Sequence, residues 1–430
     1  MKGRLIWWWK IIKQYLQNCS VHGVRYLVDD NITYAERFFW LIFCVLCWIG
    51  CAVTIKDAVT NFIKSPVAVT TETMYLDWET PFPAIAFCIS TSKKIKTDYS
   101  NTNPGMLPNN FKRALFKTSA EDLLLAYEGL KAPCADFLAE CSWNNVKFNC
   151  CTEFQELKKT GIGYCVAMNT YHLKKTNQPS VRFFINRTVK YGDLIIDFKL
   201  NAKAKEHSHS SFTVHVLNNL QLPMLTNIEK DEIRMKRGST TPVQFIMYDT
   251  FNEDGVKYVP IMHRNCRFMY ENRVDSLFDI YSSDSCYLQM IIERMIKFCG
   301  CVHFYYIVPS GARVCNGSEM RCIIANKTEI MSKSEKLEQC NPNCEGTSLI
   351  INRMESSEYD SLDRSSSRVH VILLSQPVKR YRRYVVNDIL DVIVAVGSAF
   401  GLFMGVSILS FFEIPYWFFI RRDKLENNFS

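Results

Sequence analysis

The sequence predicts a membrane protein in which two transmembrane helices flank a large, disulfide-rich α+β ectodomain. The prediction depends on two long apolar segments, on 18 cysteines in 430 residues, and on mixed strand-like and helix-like patterns between the apolar segments. Hydrophobic residues make up 48% of the chain, which suits a folded protein and excludes a disordered one. The net charge of +8 is not gathered into a basic stripe, so nothing favours nucleic-acid binding.

The first apolar segment is Phe38–Ile55, which contains no charged residue and is bracketed by Arg37 and Lys56. At about 1.5 Å per residue it is long enough to cross a hydrocarbon core of about 30 Å. It begins too far along the chain and is too long for a secretory signal, and it lacks a small-residue cleavage site. We therefore expect residues 1–37 to be cytoplasmic and residues 38–55 to form the first transmembrane helix. The alternative is a buried core helix.

The second apolar segment spans residues 389–420 and carries Asp391 and Glu413 as its charged residues. It is longer than one straight crossing needs, so it must tilt, break or project beyond the bilayer. We assign residues 385–420 to a pore-lining second transmembrane segment and residues 421–430 to a cytoplasmic tail. Basic residues precede the first segment and follow the second, which places both termini in the cytoplasm by the positive-inside rule.

Residues 56–384 form the predicted extracellular cysteine-rich domain. The runs rich in β-branched and aromatic residues, which predict strands, are Val181–Ile185, Leu194–Leu200, Phe212–Leu217, Pro242–Tyr248 and Val369–Leu374. Apolar residues recur at helical spacing in Ala114–Leu130 and Tyr287–Phe298. The polar stretches Ser92–Asn110, Ser332–Glu338 and Glu355–Ser367 are expected to be loops.

The cysteines and the glycosylation sequons support this topology. Cys19 lies on the cytoplasmic side and Cys44, Cys47 and Cys51 lie in the first segment, whereas the other fourteen fall within residues 88–344 and can form seven disulfides. The sequons expected to lie outside, and so to be glycosylated, begin at Asn186, Asn316 and Asn326. Sequons at Asn18, Asn31 and Asn428 lie on the cytoplasmic side and are expected to be unused.

The centre of the second segment repeats glycine every four residues, at Gly397, Gly401 and Gly405. Small residues at this spacing share one helical face, which allows either close helix packing or a narrow pore with exposed backbone carbonyls. Ser398, Ser407 and Ser410 add hydroxyl groups. We favour the pore because ionisable groups at membrane depth are costly and usually functional. Those that fit a cation path are Asp388, Asp391 and Glu413.

Four motifs occur in order along the chain. They are His22-Gly23 before the first segment, PFPAIAFC at residues 81–88, the block from Cys286 to Cys301 that ends in Cys-Gly-Cys, and GLFMGVSILSFFE at residues 401–413. In the last motif the triplet Gly405-Val406-Ser407 is followed by Glu413 six residues later. Together these motifs resemble the degenerin/epithelial sodium channel superfamily over essentially the whole chain, and most closely its insect pickpocket branch.

The resemblance implies a trimeric channel in the plasma membrane rather than an enzyme. It implies a sodium-selective, amiloride-sensitive, non-voltage-gated cation channel opened by an extracellular chemical or mechanical stimulus, with a plausible sensory role. Related subunits would complete a homo- or heterotrimer in membrane lipid. Na⁺ would be the permeant ion, and no cofactor or metal ligand is implied. The extracellular ligand is not readable from the sequence.

Residue roles follow from the same resemblance. Gly405, Val406 and Ser407 would form the selectivity filter, and the turn at His22-Gly23 would support the inner vestibule. Asp388 and Asp391 would concentrate cations at the outer mouth, although a solvated helix end is the plainer interpretation of both. Val392 lies near the position where bulky residues lock degenerin-type relatives open.

The family's disulfide pairing can also be carried over. The implied pairs are Cys88–Cys165, Cys266–Cys344, Cys286–Cys340, Cys299–Cys322 and Cys301–Cys315. Cys134, Cys141, Cys150 and Cys151 would form two more, of which Cys141–Cys150 is the pairing we favour, leaving Cys134–Cys151. The chain departs from the family at Met290 and Glu338, where relatives often have a further cysteine pair, and both partners are absent together.

Three other classes of protein compete with this interpretation. A trimeric ATP-gated channel would need a lysine cluster for the triphosphate and lacks the Gly-x-Ser triplet. A two-span ectoenzyme would need a phosphate-binding loop or a catalytic motif, and the sequence has none. A non-conducting accessory or adhesion-type receptor subunit that needs a heteromeric partner remains the main alternative.

Overall fold

The computed structural model separates the chain into two compact units. The residues it describes are 9, 12–64, 67–73, 78–91, 118–129, 131, 133–173, 181–186, 188–189, 192–199, 210–224, 232–234, 238–332, 340–353, 357–358, 366–375, 379–386 and 389–417. The terminal unit comprises residues 1–68, 254–264 and 384–430. The central unit comprises residues 69–253 and 265–383.

The terminal unit is helical. Its helices are Val24–Val28, Tyr34–Lys64, Ile261–Arg264, Ile389–Ala399 and Ile408–Pro415, with a 3₁₀ turn at Asp254–Tyr258 and a π-helical turn at Phe400–Met404. Among the described residues, Tyr34–Lys64 is the one unbroken helix that is long and apolar enough to cross a membrane. The second apolar segment is a pair of helices bent by 71° at a break, so it is not one continuous helix.

The long helix begins where its sequence provides a cap. The Thr33 N–H donates to Glu36 Oε2 at 3.0 Å, and the Glu36 N–H donates to Thr33 Oγ1 at 3.4 Å, so two amides that lack helical partners are satisfied. The helix contains the predicted span, residues 38–55, and extends beyond it at both ends. Near its end, His263 Nδ1 lies 3.1 Å from the Ile63 carbonyl oxygen.

The central unit is built on β-sheets. Its strands, two of which reach into the terminal unit, are β1 Val67–Glu72, β2 Thr80–Pro81, β3 Ala84–Thr91, β4 Leu138–Trp143, β5 Val146–Phe148, β6 Gln155–Glu156, β7 Tyr164–Met168, β8 Phe184–Ile185, β9 Asp193–Lys199, β10 Ser210–Leu217, β11 Glu232–Arg234, β12 Ser239–Asn252, β13 Gly346–Arg353, β14 Ser357–Glu358, β15 Ser366–Leu373 and β16 Arg380–Val385. The larger sheet has the order β1-β16-β12-β15-β9-β4-β5, with β13 and β14 also paired to β12. A second sheet has the order β11-β10-β3-β7-β6, and β2 pairs with β8.

Aromatic rings fill the core of the central unit. Phe82 packs edge-to-face on Trp143 and Phe245, with ring centroids 4.6 and 5.3 Å apart. Phe87 stacks on Phe198 at 5.0 Å. These phenylalanines are at most 1% exposed, so apolar area removed from water stabilises the unit.

Helices cover parts of this core. They are Ala120–Glu128, Cys134–Phe137, Cys150–Glu153, Ser283–Cys299, Met320–Ala325 and Lys327–Ile330. The helix Ser283–Cys299 begins at the cap residue Ser282 and ends at Gly300, whose φ of 68° is the left-handed conformation that glycine adopts without strain. Met290 is buried on this helix.

Seven disulfides hold the central unit together. They join Cys88 to Cys165, Cys134 to Cys151, Cys141 to Cys150, Cys266 to Cys344, Cys286 to Cys340, Cys299 to Cys322 and Cys301 to Cys315. These are the pairs that the family resemblance implies, including the pairing favoured among the four cysteines left over. Cys88 and Cys165 lie directly opposite each other on the antiparallel strands β3 and β7, which brings their Cα atoms to 4.2 Å.

The local predictions agree with most of these elements. Predicted strands overlap β9, β10, β12 and β15, and the predicted helices overlap Ala120–Glu128 and Ser283–Cys299. The strand expected at Val181–Ile185 is wrong over its first half, because only Phe184–Ile185 pairs with another strand. The loop expected at Glu355–Ser367 is also wrong in part, since β14 and the start of β15 lie inside it. The loop at Ser92–Asn110 lies outside the described residues.

Candidate functional site

The second apolar segment is interrupted at the glycine-serine triplet. Helix Ile389–Ala399 continues into the wide turn Phe400–Met404 and stops at Gly405, and a new helix starts at Ile408 after a bend of 71°. The Gly405 N–H still donates to the Gly401 carbonyl at 3.1 Å, and the Val406 N–H donates to the Phe400 carbonyl at 3.2 Å. Residues 405–407 are not helical, so their carbonyl groups lie outside the regular hydrogen-bond pattern of either helix.

Gly405 allows the interruption for two physical reasons. Its φ of +67° lies in the left-handed region, which costs other L-residues roughly 1–2 kcal/mol. A Cβ atom at this position would lie 2.5 Å from the Cε1 and Nδ1 atoms of the His22 ring. The position therefore requires glycine both for its backbone conformation and for the close approach of His22.

The segment that contains His22 is fixed beneath this interruption. The His22 N–H donates to the Met404 carbonyl at 2.9 Å. Gly23 has a φ of +78°, and a Cβ there would lie 2.6 Å from Cys44 Sγ on the long helix. One turn of backbone, His22-Gly23, is thus held between the two apolar segments.

After the interruption, Ser410 and Glu413 of the second segment form hydrogen bonds with Ser20 of the N-terminal segment. The Ser407 N–H donates to Ser410 Oγ at 3.0 Å, which is 2.6 Å from Ser20 Oγ. Glu413 Oε2 accepts from the Ser20 N–H at 3.3 Å and from Ser20 Oγ at 3.1 Å. The sequence patterns identified Glu413 but not Ser20, because no motif near Ser20 indicates a partner 393 residues away.

The three glycines of the repeat differ in their surroundings. Within the described part of the chain, no atom lies within 4 Å of a Cβ built on Gly397 or Gly401, whereas Gly405 contacts His22. A different glycine, Gly50 of the long helix, approaches the second segment, since its Cβ would lie 2.8 Å from Phe403 Cε1. Close packing between the two segments therefore uses Gly50 rather than the glycine repeat.

The remaining predicted residues lie at the other end of the second segment. Asp391 is exposed in the first turn of helix Ile389–Ala399, and Val392 beside it is half-buried. Asp388 lies outside the described residues. The roles proposed for these three residues stay predictions.

The three sequon asparagines in the central unit are half-buried. Asn186 Oδ1 accepts from the Thr188 N–H at 3.0 Å, and Asn316 Oδ1 accepts from Ser318 Oγ at 2.7 Å. Asn326 Nδ2, the atom that would carry a glycan, donates to the Cys322 carbonyl at 2.9 Å. Glycosylation at these positions stays a prediction.

Comparison with known proteins gives consistent results over nearly the full length. The sequence model of the family described as "Amiloride-sensitive sodium channel" matches residues 15–417. The chain is 25% identical to "Sodium channel protein Nach" of Drosophila ananassae, covering 94% of this chain and 86% of that protein.

The chain also matches two further relatives, of which it covers a smaller share. The chain is 23% identical to "Pickpocket protein 28" of Drosophila melanogaster, covering 95% of this chain and 78% of that protein. It is 20% identical to "Epithelial sodium channel subunit beta" of Rattus norvegicus, covering 43% of this chain and 33% of that protein. The matched residues 15–417 include both sides of the site, from Ser20 to Glu413.

Proposed function

Because the chain belongs to the amiloride-sensitive sodium channel family, we propose that it is a pore-forming subunit of a sodium-selective, amiloride-sensitive, non-voltage-gated channel in the plasma membrane. The family is one of ion channels, and the chain is not an enzyme. The names of its relatives, a sodium channel protein and a channel subunit, support a sodium path built from related subunits.

The topology we propose has two membrane crossings with both termini in the cytoplasm. The helix Tyr34–Lys64 makes the first crossing, and the bent helices from Ile389 to Pro415 make the second. The disulfides support an extracellular central unit, since disulfides persist in oxidising compartments. Three copies of the second segment, from identical or related subunits, would surround one pore.

The observation that carries the proposal is the interruption at Gly405, held against His22. Irregular backbone at membrane depth is tolerated where it lines a water-filled cavity or is buried in protein. Carbonyl groups of Gly405 and Val406, with the exposed Ser407, would replace part of the hydration shell of Na⁺. Pore width and the field of these dipoles, rather than a fixed charge, would then set selectivity.

Charged groups at the outer end would raise the local cation concentration. Three copies of Asp388 and Asp391 at one mouth would attract cations through space, by an effect that weakens as ionic strength rises. We propose that an extracellular chemical or mechanical stimulus opens the pore and that the channel serves a sensory cell. The large central unit supports an extracellular stimulus.

The test is whole-cell current in oocytes that express this chain alone, with and without Val392→Phe. Bulky residues near this position hold degenerin-type relatives open, so the variant supplies a current without knowledge of the stimulus. The control is Val394→Phe, the same substitution about 200° further around the same helix. Surface labelling normalises every current to the protein that reaches the membrane.

We expect an amiloride-blocked sodium current with Val392→Phe and little current with Val394→Phe. Absence of current from Val392→Phe at normal surface abundance would contradict a self-sufficient pore. It would favour the alternative, an accessory or adhesion-type subunit. Co-expression with a pickpocket-type subunit then distinguishes a partner-dependent pore from a chain that does not conduct.

A further inference from the structure

Ser20 completes a chain of hydrogen bonds that runs from the triplet to Glu413. The hydroxyl of Ser20 has one proton, and a carboxylate can only accept, so Ser20 Oγ donates to Glu413 Oε2 at 3.1 Å. Ser410 Oγ must then donate to Ser20 Oγ across 2.6 Å. Ser410 Oγ in turn accepts the Ser407 N–H at 3.0 Å. Every donor in the chain points toward the carboxylate, and such chains strengthen cooperatively.

The same N-terminal segment contacts the second apolar segment at two further places, on either side of these hydrogen bonds in sequence. Before them along the second segment, the His22 N–H donates to the Met404 carbonyl at 2.9 Å. After them, the Tyr15 ring packs edge-to-face on the Trp417 ring, with centroids 6.5 Å apart. The Ser20–Glu413 contact lies between these two in sequence. Its acceptor is charged, and hydrogen bonds to a charged acceptor are stronger than those between neutral groups.

We propose that Ser20 and Glu413 are positioning residues that hold the His22-Gly23 turn under the Gly405 interruption. Glu413 then acts through Ser20 of its own chain rather than as a ligand for the permeating ion. The inference rests on the proposed channel function for its consequence, which is that loss of the contact lowers conduction. The contact itself is testable without any current.

Cys19 provides the probe. It adjoins Ser20, is half-buried, and donates through Sγ to the Leu16 carbonyl at 3.4 Å. Burial raises the pKa of the Cys19 thiol, and the charge of Glu413 raises it further. Release of the segment increases both exposure and thiolate content, so alkylation at Cys19 accelerates.

The experiment measures the rate at which a membrane-impermeant maleimide labels Cys19 of the full-length chain in permeabilised cells. Trypsin releases residues 14–25 as one peptide in which Cys19 is the only thiol, so mass spectrometry separates it from the cysteines of the long helix. We expect about a tenfold faster rate in Ser20→Ala and in Glu413→Ala, the change produced by losing a hydrogen bond to a charged group. Ser20→Thr keeps the hydroxyl, so it should stay within about threefold of the wild type. Glu413→Gln keeps an acceptor but loses the charge that raises the Cys19 pKa, so its rate should lie between those of the wild type and Glu413→Ala.

Asp30→Ala is the matched control. Asp30 pairs with Lys13 at 2.6 Å in the same N-terminal segment, but it has no part in the hydrogen-bond chain. Its removal should leave the labelling rate unchanged. Equal acceleration in Asp30→Ala, or no acceleration in either Ser20→Ala or Glu413→Ala, would overturn the proposal whatever the currents are.

Sodium current per surface channel, in the Val392→Phe background, distinguishes positioning from ion binding. Positioning predicts about a tenfold loss in Ser20→Ala and Glu413→Ala and more than half of the current in Glu413→Gln. An ion-binding carboxylate predicts that Glu413→Gln loses as much as Glu413→Ala, and that result would overturn the positioning role. If labelling behaves as expected but no variant and no wild-type chain conducts, alone or with a partner, the proposed function fails and the contact stands.

Discussion

The central and terminal units are stabilised by different means. In the central unit seven disulfides close loops whose ends are 9 to 78 residues apart in sequence. In the terminal unit all four cysteines, Cys19, Cys44, Cys47 and Cys51, are free. Close approaches of Gly23, Gly50 and Gly405 to side chains take the place of covalent links there.

This difference indicates which unit is suited to movement. A disulfide stabilises mainly by restricting the unfolded chain, and it stays intact when nearby residues rearrange slightly. A close contact through glycine is lost when the neighbouring side chain moves by about an ångström. Regions that must change conformation are drawn from the less stable parts of a protein. In the channel proposed above, the central unit would stay fixed and the adjustable contacts would lie in the terminal unit.

The largest expected effect is removal of a long-range disulfide from the central unit. Cys88→Ser with Cys165→Ser opens a link with a sequence separation of 77, which should lower the free energy of unfolding by about 4 kcal/mol. Cys299→Ser with Cys322→Ser, with a separation of 23, should cost about 1 kcal/mol less. Chemical denaturation of the purified chain measures both, and equal losses would contradict the loop-length explanation.

Acid should weaken the central unit despite its disulfides. Burial lowers the pKa of His172 from 6.5 to about 4, while its Nε2 lies 2.9 Å from the Leu220 carbonyl oxygen. Between these pH values His172 is protonated in the unfolded chain and neutral in the folded chain. Stability therefore falls as pH drops from 6.5 to about 4, by about 3 kcal/mol.

His172→Gln tests this source of acid sensitivity. Glutamine can donate to the same carbonyl and does not titrate, so the drop in unfolding free energy should shrink by about 3 kcal/mol. The measurement is the denaturation midpoint against pH in both chains. An unchanged pH profile in the variant would exclude His172 as the cause.

In the terminal unit, Gly23→Ala should disturb the turn by a smaller amount. The substitution forces alanine into a left-handed conformation and brings its Cβ against Cys44 Sγ, at a cost of roughly 1–2 kcal/mol. Sodium current per surface channel should fall about fivefold to tenfold. Adding Cys44→Ala removes the clash but not the strained φ, so it should restore part of the current. No recovery would mean that the contact with Cys44 is unimportant.

Gly50→Ala should have the smallest effect. Its Cβ would meet the end of the Phe403 ring, which can swing away, so we expect about a twofold change in current. Phe403→Leu added to Gly50→Ala should bring the current back. Gly397→Ala, which meets no described atom within 4 Å, is the control and should match the wild type.

The local parts of the site could be predicted from the sequence. The excess length of the second segment predicts that it tilts, breaks or projects beyond the bilayer, and the structure shows a break, with the helices on either side of Gly405 meeting at 71°. The disulfide pairs followed from motifs and not from spacing, because fourteen cysteines allow very many connectivities. Strand Phe184–Ile185 was overestimated because an apolar run without a pairing partner looks the same in sequence as one with a partner.

The tertiary contacts of the site could not be predicted. Ser20 touches Glu413 across 393 positions, and a serine beside a cysteine carries no signal of that partner. The glycine repeat suggested one continuous face, yet only Gly405 of the three meets a described side chain. Such contacts depend on how two apolar segments are positioned against each other, which periodicity alone does not determine.

The role of the Gly405 interruption in conduction is tested by comparing Gly405→Ala with Gly401→Ala in the Val392→Phe background. Both changes add one methyl group to the same glycine repeat, but only that at residue 405 meets the His22 ring and a left-handed backbone. We expect amiloride-blocked sodium current per surface channel to fall at least about tenfold in Gly405→Ala and to stay within about twofold in Gly401→Ala. Equal loss in both variants, or full current in Gly405→Ala, would contradict that role.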